Sequence, residues 1–121
     1  MTMPQADDTP ETAAARARLD ELFGLLGGGE AFNPELRRYL GELAAQLRLA
    51  LDDGSMPPAE VQRLADAAVH VVEGVRRRHE EGVLGRARDR LEEAVVATEA
   101  RHPVVSGLAL RLIDALANIG I

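Results

Sequence analysis

Apolar positions recur along this chain in steps of three and four, and no segment alternates with period two. The final nineteen residues, Pro103 to Ile121, carry the pattern furthest. Projected at 100° per residue, Gly107, Arg111, Asp114 and Asn118 fall in one narrow polar stripe. Val104, Val105, Leu108, Leu112, Ile113, Leu116 and Ile119 fill the opposite side. Leu110 and Ala117 widen the apolar arc beyond half the circumference. A helix that apolar needs neighbours on nearly all sides, so it is expected at the centre of the fold.

Upstream, four more helices can be read. Residues 1–8 are a polar tail, and Thr9-Pro10-Glu11 starts a helix running to about residue 26. Its signals are a hydroxyl cap, a proline where no amide is needed, and an acid facing the helix dipole. Gly27-Gly28-Gly29 ends it; without a Lys-Ser/Thr pair or a preceding strand, this is a link and no phosphate loop. Asn33-Pro34-Glu35 restarts the pattern, and Leu36, Leu40, Leu43, Leu47 and Leu51 form a helix–helix seam over about 34–52. Asp52 to Pro58 is a stop and a second restart. Val61, Leu64, Ala68, Val71 and Val75 mark a third helix over about 58–80, whose outer face pairs Asp66 with His70. The next apolar line, Leu84, Ala87, Leu91 and Ala94/Val95, is out of phase with it. Gly82 and Gly85 sit where the phase changes, so a turn near 80–85 is favoured over one long rod. A fourth helix then spans about 84–101, and His102-Pro103 launches the fifth over 103–119. Short links between successive helices imply antiparallel neighbours. The expected fold is all-α: an antiparallel bundle of four to five helices with the C-terminal one at its centre.

Composition narrows the chemistry more than it specifies it. The 121 residues suit one domain, and 46% apolar with 28% charged residues is ordinary for a soluble protein. Phe23, Phe32 and Tyr39 are all the aromatics, so the core is aliphatic. The chain has no cysteine, which excludes disulfides and thiolate metal sites. A net charge of −6 disfavours polyanionic partners, and nucleic acid is not expected. The acidic first residues lack the features of an export signal, and Arg111 and Asp114 interrupt the most apolar segment. The expectation is a cytoplasmic protein with no transmembrane segment.

Candidate reactive groups are sparse. Glu99 and His102 have the spacing of a carboxylate–histidine metal motif, but it occurs once and at a proline break. Ser55 and Ser106 belong to no nucleophile pattern. The reading is therefore of a non-enzymatic protein without metal or other cofactor. Arg76, Arg77, Arg78, Arg86, Arg88 and Arg90 cluster within fifteen residues, against Glu80, Glu81 and Asp89. This is either a solvated turn or a footprint for an anionic membrane or nucleic acid. Leu49 and Leu110 sit off the main buried lines of their helices. They suggest a surface covered by another copy of the chain or another protein, the alternative being that five helices enclose the last one unaided. The candidate interaction surface is thus Leu49, Leu110, Arg76, Arg77 and Arg78. Gly24, Gly41, Gly74, Gly85 and Gly107 fall inside expected helices and make them dependent on packing.

The last thirty residues resemble a family. Glu99-Ala100-Arg101-His102-Pro103, followed by Asp114-Ala115-Leu116-Ala117-Asn118-Ile119-Gly120-Ile121, is similar to the C-terminal signature of a small bacterial group, domain of unknown function 4404. The resemblance covers about a quarter of the chain. It implies a helical bacterial protein and supplies no activity or site residue to carry over. Gly120 reads as a C-cap with Ile121 folding back.

Overall fold

The computed structural model describes residues 9–27, 33–77, 82–98 and 102–118. Over these the chain forms α1 (Pro10–Leu26), α2 (Pro34–Asp53), α3 (Pro58–Arg76), α4 (Val83–Thr98) and α5 (Pro103–Asn118), with no strand among the described residues. The tail 1–8, Arg78, His79, Glu99 and the Gly120–Ile121 cap lie outside them.

Four of the five helices begin on a proline, whose missing amide costs nothing in a first turn. The Thr9 hydroxyl accepts from the Thr12 amide at 3.1 Å. Asn33 Oδ1 accepts from the amides of Glu35 and Leu36 at 2.8 and 3.2 Å. Gly54 closes α2 at φ 75°, and Gly82 stands at φ 81° immediately before α4. That left-handed residue lets the chain reverse, so α3 and α4 are two helices and their apolar lines both face inward.

α2 packs on α1, α3 and α5, while α3 packs on α1, α2 and α4; α4 and α5 close the figure by packing on each other. The four helices α2 to α5 thus form an up-and-down bundle, and α1 lies in the groove between α2 and α3. Pairings across the seams fix the register. Asp20 meets Arg48 at 3.1 Å and Arg16 meets Asp52 at 3.2 Å, so α1 and α2 run antiparallel. The Thr12, Ala15, Leu19 and Leu22 face of α1 is buried. Arg48 also lies over the Phe23 ring, 5.7 Å from its centroid.

The all-α bundle is as the sequence implies, but the position of its last helix is different. α5 packs on α2 and α4 alone and is not the central element. Leu112 and Leu116 are fully buried, yet Val104 is 57% and Leu110 47% exposed. The most enclosed element is α3, with ten buried residues from Val61 to Val75. The difference is the number of neighbours: α1, α2 and α4 all pack on α3, whose alanines, valines and glycine let them approach closely, whereas α5 meets only α2 and α4. Gly74 shows the limit: a Cβ there would stand 2.9 Å from Leu84 Cδ1 and 3.2 Å from Leu84 Cα. Gly41, Gly85 and Gly107 face open space.

Two predictions follow from this packing. Gly74→Ala should lower stability by about 1–2 kcal/mol despite its better helix propensity, because α4 must move away. Gly41→Ala should raise it by about 0.5–1 kcal/mol, since nothing opposes the new methyl group. Urea midpoints at constant m-value decide both. A third prediction concerns the α2–α3 turn. The Ser55 hydroxyl and then the Ser55 amide, at 2.8 Å from Oδ1, hold the Asp53 carboxyl below its ordinary range, with His102 a lesser cause. A depressed folded pKa contributes stability above the unfolded value, lost as pH falls through the folded one. Ser55→Ala should move the Asp53 titration, followed by carbon NMR, back up toward ordinary carboxylates; an unmoved titration contradicts the assignment.

Candidate functional site

The structure does not gather the sequence candidates into one place. Leu49 is 57% exposed on the outer face of α2, and Leu110 lies on α5. Arg76 and Arg77 are exposed at the C-terminal end of α3, and Arg78 lies outside the described residues. A further exposed apolar residue, Val104, lies in the first turn of α5. Glu35 and Tyr39 share a cavity with Arg111, Asp114 and Asn118 across the α2–α5 seam. α2 and α5 are antiparallel, so the C-terminal half of α2, which carries Leu49, runs toward the first turn of α5, which carries Val104. The apolar arc places Val104 on the buried side of α5, yet it is 57% exposed while its neighbour Val105 is fully buried. Val96, 77% exposed on α4, falls off every apolar line and gave no signal.

The arginine cluster is divided by helical geometry. Arg86 and Arg90 are one turn apart and line the α3–α4 groove. Arg88 is two residues from each, about 160° around the helix, and so belongs to the opposite flank. At the end of α3, the capping residue Arg77 lines the groove and Arg76 does not. The groove has two compartments that share Arg86 and Arg90. One, of about 540 Å³, adds Arg63 and the acids Asp66, Asp89 and Glu93. The other, of about 270 Å³, adds His70, Glu73 and Arg77.

Asp66 joins three helices at the floor of this groove. Its Oδ1 accepts from Arg18 of α1, through Nε at 3.0 Å and through a terminal nitrogen. That bond is the first cause raising the Arg18 pKa above its already high range, so the guanidinium is permanently charged. From the other side Arg90 Nη1 stands 3.7 Å from Asp66 Oδ2. His70 lies 3.5 Å from the same oxygen, the i,i+4 pair expected on the outer face of α3. Its Nδ1 is 2.8 Å from the Asp66 carbonyl oxygen, an acceptor, so Nδ1 carries the proton. Nε2 is then free to accept from Arg90 Nη1 at 3.4 Å. The arrangement positions guanidinium groups, and its chemistry is charge-assisted hydrogen bonding to an anion.

The remaining polar candidates are occupied structurally. Ser106 donates to the His102 and Pro103 carbonyls, both at 3.3 Å, within the first turn of α5. His102 caps that helix, its carbonyl accepting from the Ser106 amide at 3.1 Å. Glu99, the other half of the metal-like spacing, lies outside the described residues. Among the described residues no three histidine or acidic side chains come together as metal ligands, and no helix is long and apolar enough to cross a membrane.

Comparison with known proteins extends the resemblance seen at the C-terminus. The match to the family described as domain of unknown function (DUF4404) runs over residues 36–121, which takes in α2 to α5 and leaves α1 outside. Among curated proteins and solved structures, nothing matches the chain. The four-helix bundle and the region matched coincide, and the chain belongs to the DUF4404 family.

Proposed function

We propose that this protein is a non-enzymatic interaction module of the cytoplasm that associates with a second copy of itself. One observation carries the reading. The large apolar side chains left exposed among the described residues, Leu49, Val96, Val104 and Leu110, all lie on α2, α4 and α5. α1 and α3 expose none. Leu49 lies on α2 and Val104 on α5, two helices that pack on each other. Each is 57% exposed, so covering either in an interface would contribute about 1–1.5 kcal/mol. A second reading, attachment to an anionic membrane or nucleic acid, is favoured by Arg77, Arg86 and Arg90 lining one groove. It requires binding that weakens steeply with salt and is abolished by replacing Arg76, Arg77 and Arg78 together with alanine.

Sedimentation at micromolar concentration should show a species above the 13.0 kDa monomer. Leu49→Asp should weaken its association at least about tenfold, and Leu49→Asp with Leu110→Asp should leave monomer. A monomer at all concentrations overturns self-association.

A further inference from the structure

We propose that the smaller compartment of the α3–α4 groove is a binding site for a compact phosphate group, as a free phosphate or a phosphomonoester. Three guanidinium groups, Arg77, Arg86 and Arg90, line a cavity of about 270 Å³, and Glu73 is its single acid among the described residues. The groove as a whole sets Arg63, Arg77, Arg86 and Arg90 against Asp66, Glu73, Asp89 and Glu93, so the positive excess is confined to this end of it. Like charges held this close repel, and a dianion placed among them would relieve the repulsion.

The side chains are prepared for that role. Arg86 Nε donates to the Gly82 carbonyl at 3.2 Å, tying its arm to the left-handed turn that begins α4. Among the described residues no carboxylate pairs with its two terminal nitrogens. Arg90 is weakly held, at 3.7 Å from Asp66 and 3.4 Å from His70 Nε2. Asp66 already accepts two hydrogen bonds from Arg18, so it compensates Arg90 only in part. Guanidinium forks one helical turn apart match the oxygens of a phosphate, which as a monoester is mostly a dianion at neutral pH.

Charge also limits the ligand's size. In the neighbouring compartment Arg63, Arg86 and Arg90 meet Asp66, Asp89 and Glu93, three charges against three. A long polyanion leaving the small cavity along the groove would run into those carboxylates. Arg88, on the far flank of α4, is no help to it. The geometry thus selects one phosphate group over a nucleic-acid strand, and it requires neither self-association nor the extended polyanion reading.

The test is titration calorimetry of the full-length protein with inorganic phosphate and with glycerol phosphate, at fixed ionic strength against a chloride blank. Flotation with phosphatidylcholine vesicles, with and without phosphatidate, forms a parallel arm. Saturable binding of the soluble phosphates, or flotation only with phosphatidate, supports the site and identifies the source. Arg86→Gln and Arg90→Gln should each weaken binding at least about tenfold, the loss of one charge-assisted pair. Arg76→Gln should leave it within about twofold, and Glu73→Gln should tighten it. Absence of saturable binding in both arms overturns the proposal. So does an Arg76→Gln loss equal to that of Arg86→Gln, or looser binding by Glu73→Gln with its fold intact by circular dichroism.

Discussion

The enclosure of α3 is the constraint on which the rest of this structure depends. Its buried arc, from Val61 to Val75, is made of alanine, valine, one leucine and one glycine. Such a surface cannot be covered by one neighbour, and its small side chains permit α1, α2 and α4 to approach together. Close approach is what dispersion and burial reward. The cost is conformational: Gly74 weakens the helix locally so that Leu84 can sit against it. α5 then needs to cover only what α2 and α4 leave open.

What α3 turns outward is organised by the same approach. With α1 on one side and α4 on the other, the outer stripe of α3 becomes the floor of a charged seam. Asp66 is shared between Arg18 and Arg90, which come from helices that do not touch each other. Exposed ion pairs contribute little singly, and this one is half-buried with more than one donor, the circumstance in which geometry is held most firmly. The seam therefore aligns the flanking helices and, further along, leaves Arg77, Arg86 and Arg90 around a cavity.

The family match adds a boundary that agrees with the packing. It begins at Leu36, after α1, and covers the four helices that close on themselves. α1 is fastened to that unit by Ala15, Leu19 and Leu22 and by ion pairs to Asp52, Asp66 and Arg48. The C-terminal residues that first suggested the family are only part of the region matched.

The helices and their starts were legible in the sequence, because both are local. Period-three-and-four spacing is set by the helix itself, and Pro10, Pro34, Pro58 and Pro103 mark first turns through a missing amide that needs no tertiary partner. The turn between α3 and α4 was legible in the change of phase near Gly82, for the same reason. Which helix lies innermost was not. An apolar arc measures how much surface avoids water, but the number of helices that cover it depends on how the whole chain packs, so α3, with three neighbours, took the place expected of α5. Nor could spacing sort the arginines. Six of them within fifteen residues look like one patch in sequence, yet successive even positions on a helix point to opposite flanks. Only the placement of α3 against α4 decided that Arg77, Arg86 and Arg90 share a cavity while Arg76 and Arg88 do not.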